Sequence, residues 1–186
     1  MATAEEELFQ ELMNLQRRMS NQSPDSTDSG TEDDANKGLA MAIGQLLANT
    51  VSVYHEAHGL HWNVKGEDFS QYHALFGEIY DDVQGSIDGT AELILKLGYD
   101  APFHMSKFVE IRSITETDAD DEPMSMANEL LRSLEALVAQ LKNVFKMADE
   151  ADEQGIANFI ADRIDSTQKW VWQLRASTGK QKSIEF

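Results

Sequence analysis

His61-Trp62-Asn63-Val64-Lys65-Gly66-Glu67-Asp68-Phe69-Ser70-Gln71-Tyr72-His73 is the stretch on which the reading of this chain turns. It carries two histidines across a glycine-marked turn, and Asp88 and Glu92 follow on the next predicted helix. Imidazoles and carboxylates are ligands of iron and zinc when they converge. Spacing decides how they could converge. Phe69 to Leu97 reads as one helix, so at roughly 1.5 Å per residue His73 and Asp88 lie about 22 Å apart. They cannot meet at one ion within a chain. Asp88 and Glu92, four residues apart, share a helix face and form a two-carboxylate half-site. His61, at the end of the preceding helix, reaches His73 across the turn and forms a two-histidine half-site. Two copies packed antiparallel about a twofold axis bring half-sites of opposite kind together, and a twofold contact is the commonest symmetric interface. A metal site built from these residues is expected between subunits.

Outward from this stretch the apolar pattern is helical. Leu39, Ile43, Leu46, Leu47, Tyr54 and Ala57 form one stripe of a helix expected from about Asp34 to His61. The second helix shows Tyr72, Leu75, Phe76, Ile79, Tyr80, Val83, Ile87, Ala91, Ile94 and Leu95 at sustained i, i+3, i+4 spacing, with Asp68 and Gln71 placed as a cap pair and Gly98 as its stop. A long connection, Tyr99 to Glu122, holds one short predicted helix near 105–110. Pro123 suits the first turn of a third helix, which carries Leu130, Leu134, Leu137, Leu141 and Val144. After a break at about 149–155 a fourth helix carries Ile156, Ile160, Ile164, Val171 and Leu174. No strand-like alternation of comparable length occurs. The pattern predicts an all-α chain: a four-helix bundle with a short helix in the long connection between helices 2 and 3.

Ahead of the bundle, residues 1–19 read as an amphipathic amino-terminal helix, with Thr3 and Glu6 as a capping box and Leu8, Leu12, Leu15 and Met19 at helical spacing. Residues 20–38 are polar, acidic and nearly free of apolar side chains, which predicts a disordered linker. An amphipathic helix on a flexible tether suits docking to a protein partner. The plainer alternative is a helix packed on its own shell. Residues 179–186 read as a carboxy-terminal tail.

The chain has 186 residues, no cysteine and a net charge of −18. One domain plus a tail follows from that length, and disulfides and thiolate metal sites are excluded. The absence of thiols suits a reducing compartment, no apolar run reaches the roughly 20 residues needed to span a bilayer, and the acidic start lacks a secretory signal, so a cytoplasmic location is expected. Acids outnumber bases nine to three in residues 1–38 and 24 to 12 in the remainder. Such a surface repels phosphate backbones and attracts cations, which argues against DNA binding; Lys180 and Lys182 are too few to reverse it.

The run from Tyr54-His55 through His61-Trp62-Asn63-Val64-Lys65-Gly66, Phe69, His73, Asp88 and Glu92 resembles the Dps-like miniferritins of the ferritin superfamily. Trp172-Gln173-Leu174-Arg175-Ala176 is similar to that family's last helix, and the resemblance covers residues 39–178. It implies a hollow dodecamer with ferroxidase sites at twofold interfaces, iron as the metal, oxidation of Fe(II) by hydrogen peroxide or dioxygen, and storage of the ferric product. His61, His73, Asp88 and Glu92 are then the metal ligands and catalytic residues, with zinc as a competitor for the same donors. Paired Glu-x-x-His motifs of larger ferritins do not occur.

Several residues also have plainer readings. A lone histidine on an apolar stripe usually packs in a core, and Asp88 and Glu92 alone would be an ordinary solvated face. His55 is expected to be structural, His58 to lie on the surface, and Trp62 to pack. Four residues after His73, where the family usually has Asp or Glu, stands Gly77. Glu78 points about 100° away and Asp81 lies a turn farther on. A missing carboxylate weakens a second iron position, and a helical glycine costs about 1 kcal/mol relative to alanine. The competing function is therefore a non-catalytic Dps-like shell or docking protein with an impaired metal site. Glu153 and Asp162 fall where the family lines its threefold iron-entry pores, although Gln154 and Asn158 replace acids often found there.

Overall fold

The computed structural model describes residues 29–115 and 122–184. The predicted helix over 1–19 lies outside them, as does 20–28 of the predicted linker. Residues 35–186 form one compact unit. Its helices are α1 (Ser29–Asn63), α2 (Phe69–Gly85), α3 (Ile87–Lys96), α4 (Met105–Ile111), α5 (Pro123–Glu150) and α6 (Gln154–Ser177), and no strand occurs among the described residues. This is the expected four-helix bundle, with α2 and α3 together as its second helix and α4 as the short helix of the connection.

Two boundaries differ from expectation. First, α1 begins at Ser29, so residues 29–38 of the predicted linker are helical. The segment 29–38 holds no proline, and Glu32, Ala35 and Lys37 are good helix formers, a local preference that polarity alone does not reveal. The first core residue is still Leu39, at 1% exposure. Second, the helix predicted as one piece over 69–97 is interrupted at Ser86. The Ser86 hydroxyl donates to the Val83 carbonyl (2.7 Å), where its own amide also donates (3.1 Å). Thr90 Oγ1 in turn donates to the Ser86 carbonyl (2.7 Å). Side-chain hydroxyls competing for ladder carbonyls beside Gly85 are a known cause of such a break.

The ends are otherwise where the sequence puts them. Gly66 (φ +108°) and Gly98 (φ +86°) take left-handed conformations after α1 and α3, which a Cβ would strain. Pro123 opens α5. Asp68 precedes α2 but makes no side-chain cap bond, so the expected Asp68–Gln71 cap pair is not formed; Asp68 has φ −93° and ψ 16°, not the extended backbone from which a cap side chain turns back onto the helix. The three-residue break 151–153 folds α6 back antiparallel along α5, with Asp152 at φ +57°.

Burial follows the helical stripes: Leu39, Ile43, Leu46, Phe76, Ile79, Leu130, Leu134, Val144, Ile160 and Leu174 are essentially sealed in one core. The long connection is pinned by Asn49, a fully buried amide amid the apolar residues of α1. Its Nδ2 donates to Ser113 Oγ (2.9 Å) and Gln140 Oε1 (2.6 Å), and its Oδ1 accepts the amides of Ser113 (2.8 Å) and Ile114 (3.0 Å). One amide thereby ties α1, the end of the connection and α5 together with every polar atom satisfied. On the other side Asp82 of α2 accepts both Arg163 nitrogens (3.0 and 2.8 Å) and Trp170 Nε1 (2.8 Å) from α6.

Candidate metal centre

The end of α1 and the start of α2 bring His61 and His73 together. His61 Nδ1 donates to the carbonyl of His73 (2.7 Å), and His73 Nδ1 donates to the carbonyl of His61 (2.9 Å). Because a carbonyl only accepts, each Nδ1 carries the proton, and in each neutral ring the lone pair is on Nε2. This is the arrangement in which a backbone carbonyl fixes the tautomer and raises the basicity of a ligating imidazole. The rings stack with centroids 3.7 Å apart and planes 23° apart, and Phe69 stacks on the outer face of His73 at 4.9 Å. Lone pairs lie in their ring planes. Two planes so nearly parallel do not meet at a metal–nitrogen distance of about 2.1 Å, so as they stand the two Nε2 atoms address two neighbouring positions.

Gly77 has a physical account here. A Cβ at this position would stand 3.3 Å from His61 Nδ1 and 3.4 Å from His61 Cε1. The glycine lets the His61 ring lie against α2 while it reaches the His73 carbonyl. Glu78 and Asp81 are exposed and make no contact that would substitute for a carboxylate at 77.

Asp88 and Glu92 lie on α3, both exposed, with Asp88 in its first turn. Glu92 is 3.9 Å from Lys96, a solvent-screened pair worth little. Among the described residues no three His, Asp or Glu side chains cluster around one point. Each subunit thus carries two half-sites, the histidine pair at the α1–α2 turn and the carboxylate pair on α3, and does not join them.

His55 and His58 reverse their expected roles. His55 is exposed, with the adjacent Tyr54 ring tilted at 5.5 Å. His58 is half-buried, with Trp62 at 4.2 Å and Tyr80 at 4.3 Å, and Tyr80 also stands edge-on to His61 at 5.2 Å. One turn of α1 before His61 faces the tyrosine of α2, whereas two turns back the helix has drifted away, a difference that three-residue steps alone leave undecided. Trp62 is 63% exposed apart from His58. Of the expected pore acids, Glu153 is a half-buried residue preceding α6 and Asp162 is exposed two turns later; Asp149, Glu150 and Asp152 are exposed beside them.

Sequence reasoning did not single out Asn49 or the Asp82–Arg163–Trp170 clip. Asn49 had a signal, a lone amide within Leu46-Leu47-Ala48-Asn49-Thr50-Val51, but the clip joins positions 81 and 88 residues apart and had none.

The profile of the ferritin-like domain family matches residues 41–184. The DNA protection during starvation protein of Brevibacillus brevis is 32% identical over 139 residues, 74% of this chain and 93% of that protein. An uncharacterized protein of Haemophilus influenzae is 34% identical over 139 residues, 75% of this chain and 87% of the relative. Among solved structures, the Dps protein of Vibrio cholerae O1, described as a member of a broad superfamily of ferritin-like diiron-carboxylate proteins, superposes with a TM-score of 0.74 at 32% identity, covering 78% of this chain and 91% of that one.

Proposed function

The chain belongs to the Dps-like miniferritins of the ferritin-like family, and on that premise we propose that it binds Fe(II) between subunits, oxidises it with hydrogen peroxide or dioxygen, and stores the ferric product in a hollow homo-oligomeric shell. The observation that carries this reading is the reciprocally bonded His61–His73 pair, with both Nε2 lone pairs free for a metal. His61 and His73 of one subunit supply the imidazoles. Asp88 and Glu92 of a twofold mate supply the carboxylates, which favour the ferric product after electron transfer. Each hydrogen peroxide takes two electrons and two protons to leave as two waters, so each consumes two Fe(II). Two adjacent imidazole positions suit that stoichiometry.

A mate is also what the outer face of the bundle calls for. α4 buries none of its side chains, and Met105 (55%) and Val109 (58%) stand exposed with Phe103 (76%) and Met41 (71%) beside an open, mostly apolar groove of about 1020 Å³. Exposed apolar surface of this extent marks an association face. A dodecameric shell covers it with a second copy. Glu153, Asp162 and the acids at the α5–α6 break would then draw Fe(II) towards the shell electrostatically. No helix among the described residues is long and apolar enough to cross a membrane.

The second reading, a non-catalytic shell or docking component, rests on Gly77, which leaves the His73 position one carboxylate short. Fe(II) oxidation, aerobic and peroxide-driven, followed by absorbance for the wild type and a His61→Ala/His73→Ala variant, separates the two. Oxidation well above the buffer rate and lost in the variant is expected. Equal rates would leave the non-catalytic reading.

A further inference from the structure

His58 is in an unusual setting for a histidine outside the expected ligand set. Its ring packs against Trp62 (centroids 4.2 Å apart, planes 46° apart) and Tyr80 (4.3 Å, 33°), with Tyr54 at 5.5 Å. Neither ring nitrogen is hydrogen-bonded to another described residue, in contrast to His61 and His73, whose Nδ1 atoms are both committed. It is a half-buried imidazole packed against aromatic rings, with two unused nitrogens to offer whatever lies beside it. What lies beside it is His61, with ring centroids 6.4 Å apart and planes inclined by 43°.

Two imidazoles on one ion, each with a metal–nitrogen distance of about 2.1 Å, place their centroids about 4.7 Å apart at a right angle and about 6.6 Å apart when opposed. The His58–His61 separation falls inside that span, near its open end. The stacked His61–His73 pair, at 3.7 Å and nearly parallel, falls outside it. By ring separation, then, a shared ion suits His61 with His58 and not His61 with His73.

We propose that His58 is a third imidazole ligand of the metal centre, which with His61 makes one of its two positions nitrogen-rich and selective for a late first-row divalent cation such as zinc. The inference rests on the metal-binding reading of His61 and His73. Imidazole nitrogen ranks zinc and its neighbours above Fe(II), and no carboxylate at residue 77 offsets that preference. Trp62 and Tyr80 hold the His58 ring, and His73, with the mate's carboxylates, retains an oxygen-rich position for iron.

The test uses the assembled full-length protein. Zn(II) and Co(II) affinities are measured by calorimetry, and Co(II) spectra are recorded, for the wild type, His58→Phe and His61→Ala/His73→Ala. Phenylalanine keeps the stacking on Trp62 and Tyr80 and removes only the nitrogens. The expected result is a loss of about tenfold or more in Zn(II) affinity in His58→Phe, with a Co(II) spectrum shifted by exchange of nitrogen for water. Affinity and spectrum unchanged in His58→Phe but lost in the double variant would overturn the proposal and leave the His61–His73 reading intact. No loss in either variant would overturn both. Should His58→Phe fail to assemble, X-ray absorption on the Zn(II)-loaded wild type decides. Two imidazoles on the tightest-bound ion support the proposal, and one overturns it.

Discussion

Replacing Gly77 with alanine tests whether this glycine exists to seat the His61 ring. In a helix interior the change removes backbone freedom from the unfolded chain and gains about 1 kcal/mol. Against that stands the new methyl, 3.3 Å from His61 Nδ1 and 3.4 Å from Cε1. An ordinary contact requires the ring to retreat by a few tenths of an ångström. The 2.7 Å bond to the His73 carbonyl can lengthen to about 3.0 Å and survive, but the His73 ring stacked at 3.7 Å limits where His61 can go. The displacement therefore weakens the bond without breaking it, costing about half of the 0.5–1.5 kcal/mol that such a bond contributes net. Gly59 in α1, where a Cβ meets nothing within 4 Å, supplies the reference. For a chain of this length, 1 kcal/mol is about 2–4 °C in Tm. Calorimetry at fixed protein concentration should show Gly59→Ala gaining that amount and Gly77→Ala about half of it. Zn(II) binding should weaken in Gly77→Ala alone, because ligand positions are tolerant to only about 0.2 Å. A Gly77→Ala protein as stabilised as Gly59→Ala would refute the seating argument. A loss of several kcal/mol would equally refute the claim that the ring has room to give.

Asn49→Ala leaves the amide of buried Ile114 without its acceptor and Gln140 without its donor, and should cost about 2–4 kcal/mol by calorimetric or chemical denaturation, while Gln45→Ala on the exposed side of the same contact should cost under 1 kcal/mol. Gly89→Ala places a Cβ 2.7 Å from Phe159 Cε2, an overlap that should destabilise by about 1–3 kcal/mol and be relieved by adding Phe159→Leu, as a double-mutant cycle would record. Burial opposes ionisation of Asp82, but hydrogen bonds from Arg163 and Trp170 and the charges of Arg163 and Lys169 outweigh it and hold its carboxyl below the ordinary carboxylate range. Its contribution is thus complete above about pH 4 and lost as pH falls through the lowered folded value, so the stability gap between wild type and Asp82→Asn should close on acidification below that point. Electrophoretic mobility of duplex DNA at low salt should be unchanged by the protein, since a net charge of −18 opposes phosphate contact.

What was legible in the sequence depended on range. The helices, the turn at Gly66, the stop at Gly98 and the short helix near 105–110 are local, because apolar spacing and a glycine's φ are set by residues within a turn or two of each other. The twelve-residue interval from His61 to His73 was legible because a helix end, a tight turn and a helix start leave few ways to connect them. Three things were not. The interruption at Ser86 needs the hydroxyls of Ser86 and Thr90 to compete for ladder carbonyls, a choice that the apolar period through Val83, Ile87 and Ile94 masks. Asn49 gains its meaning from Ser113 and Gln140, 64 and 91 residues away. His58 resisted most of all, because its setting is made by Tyr80 on another helix and by Trp62 on its own, and helical phase alone pointed the wrong way, to a structural His55 and a surface His58. Gly77 joins these observations. Read along the chain it is a ligand missing from a pattern, and read in space it is the surface on which His61 rests. A carboxylate could return to position 77 only by moving that imidazole, so the chemistry of this centre is to be sought in the imidazoles it has gathered rather than in the acid it lacks.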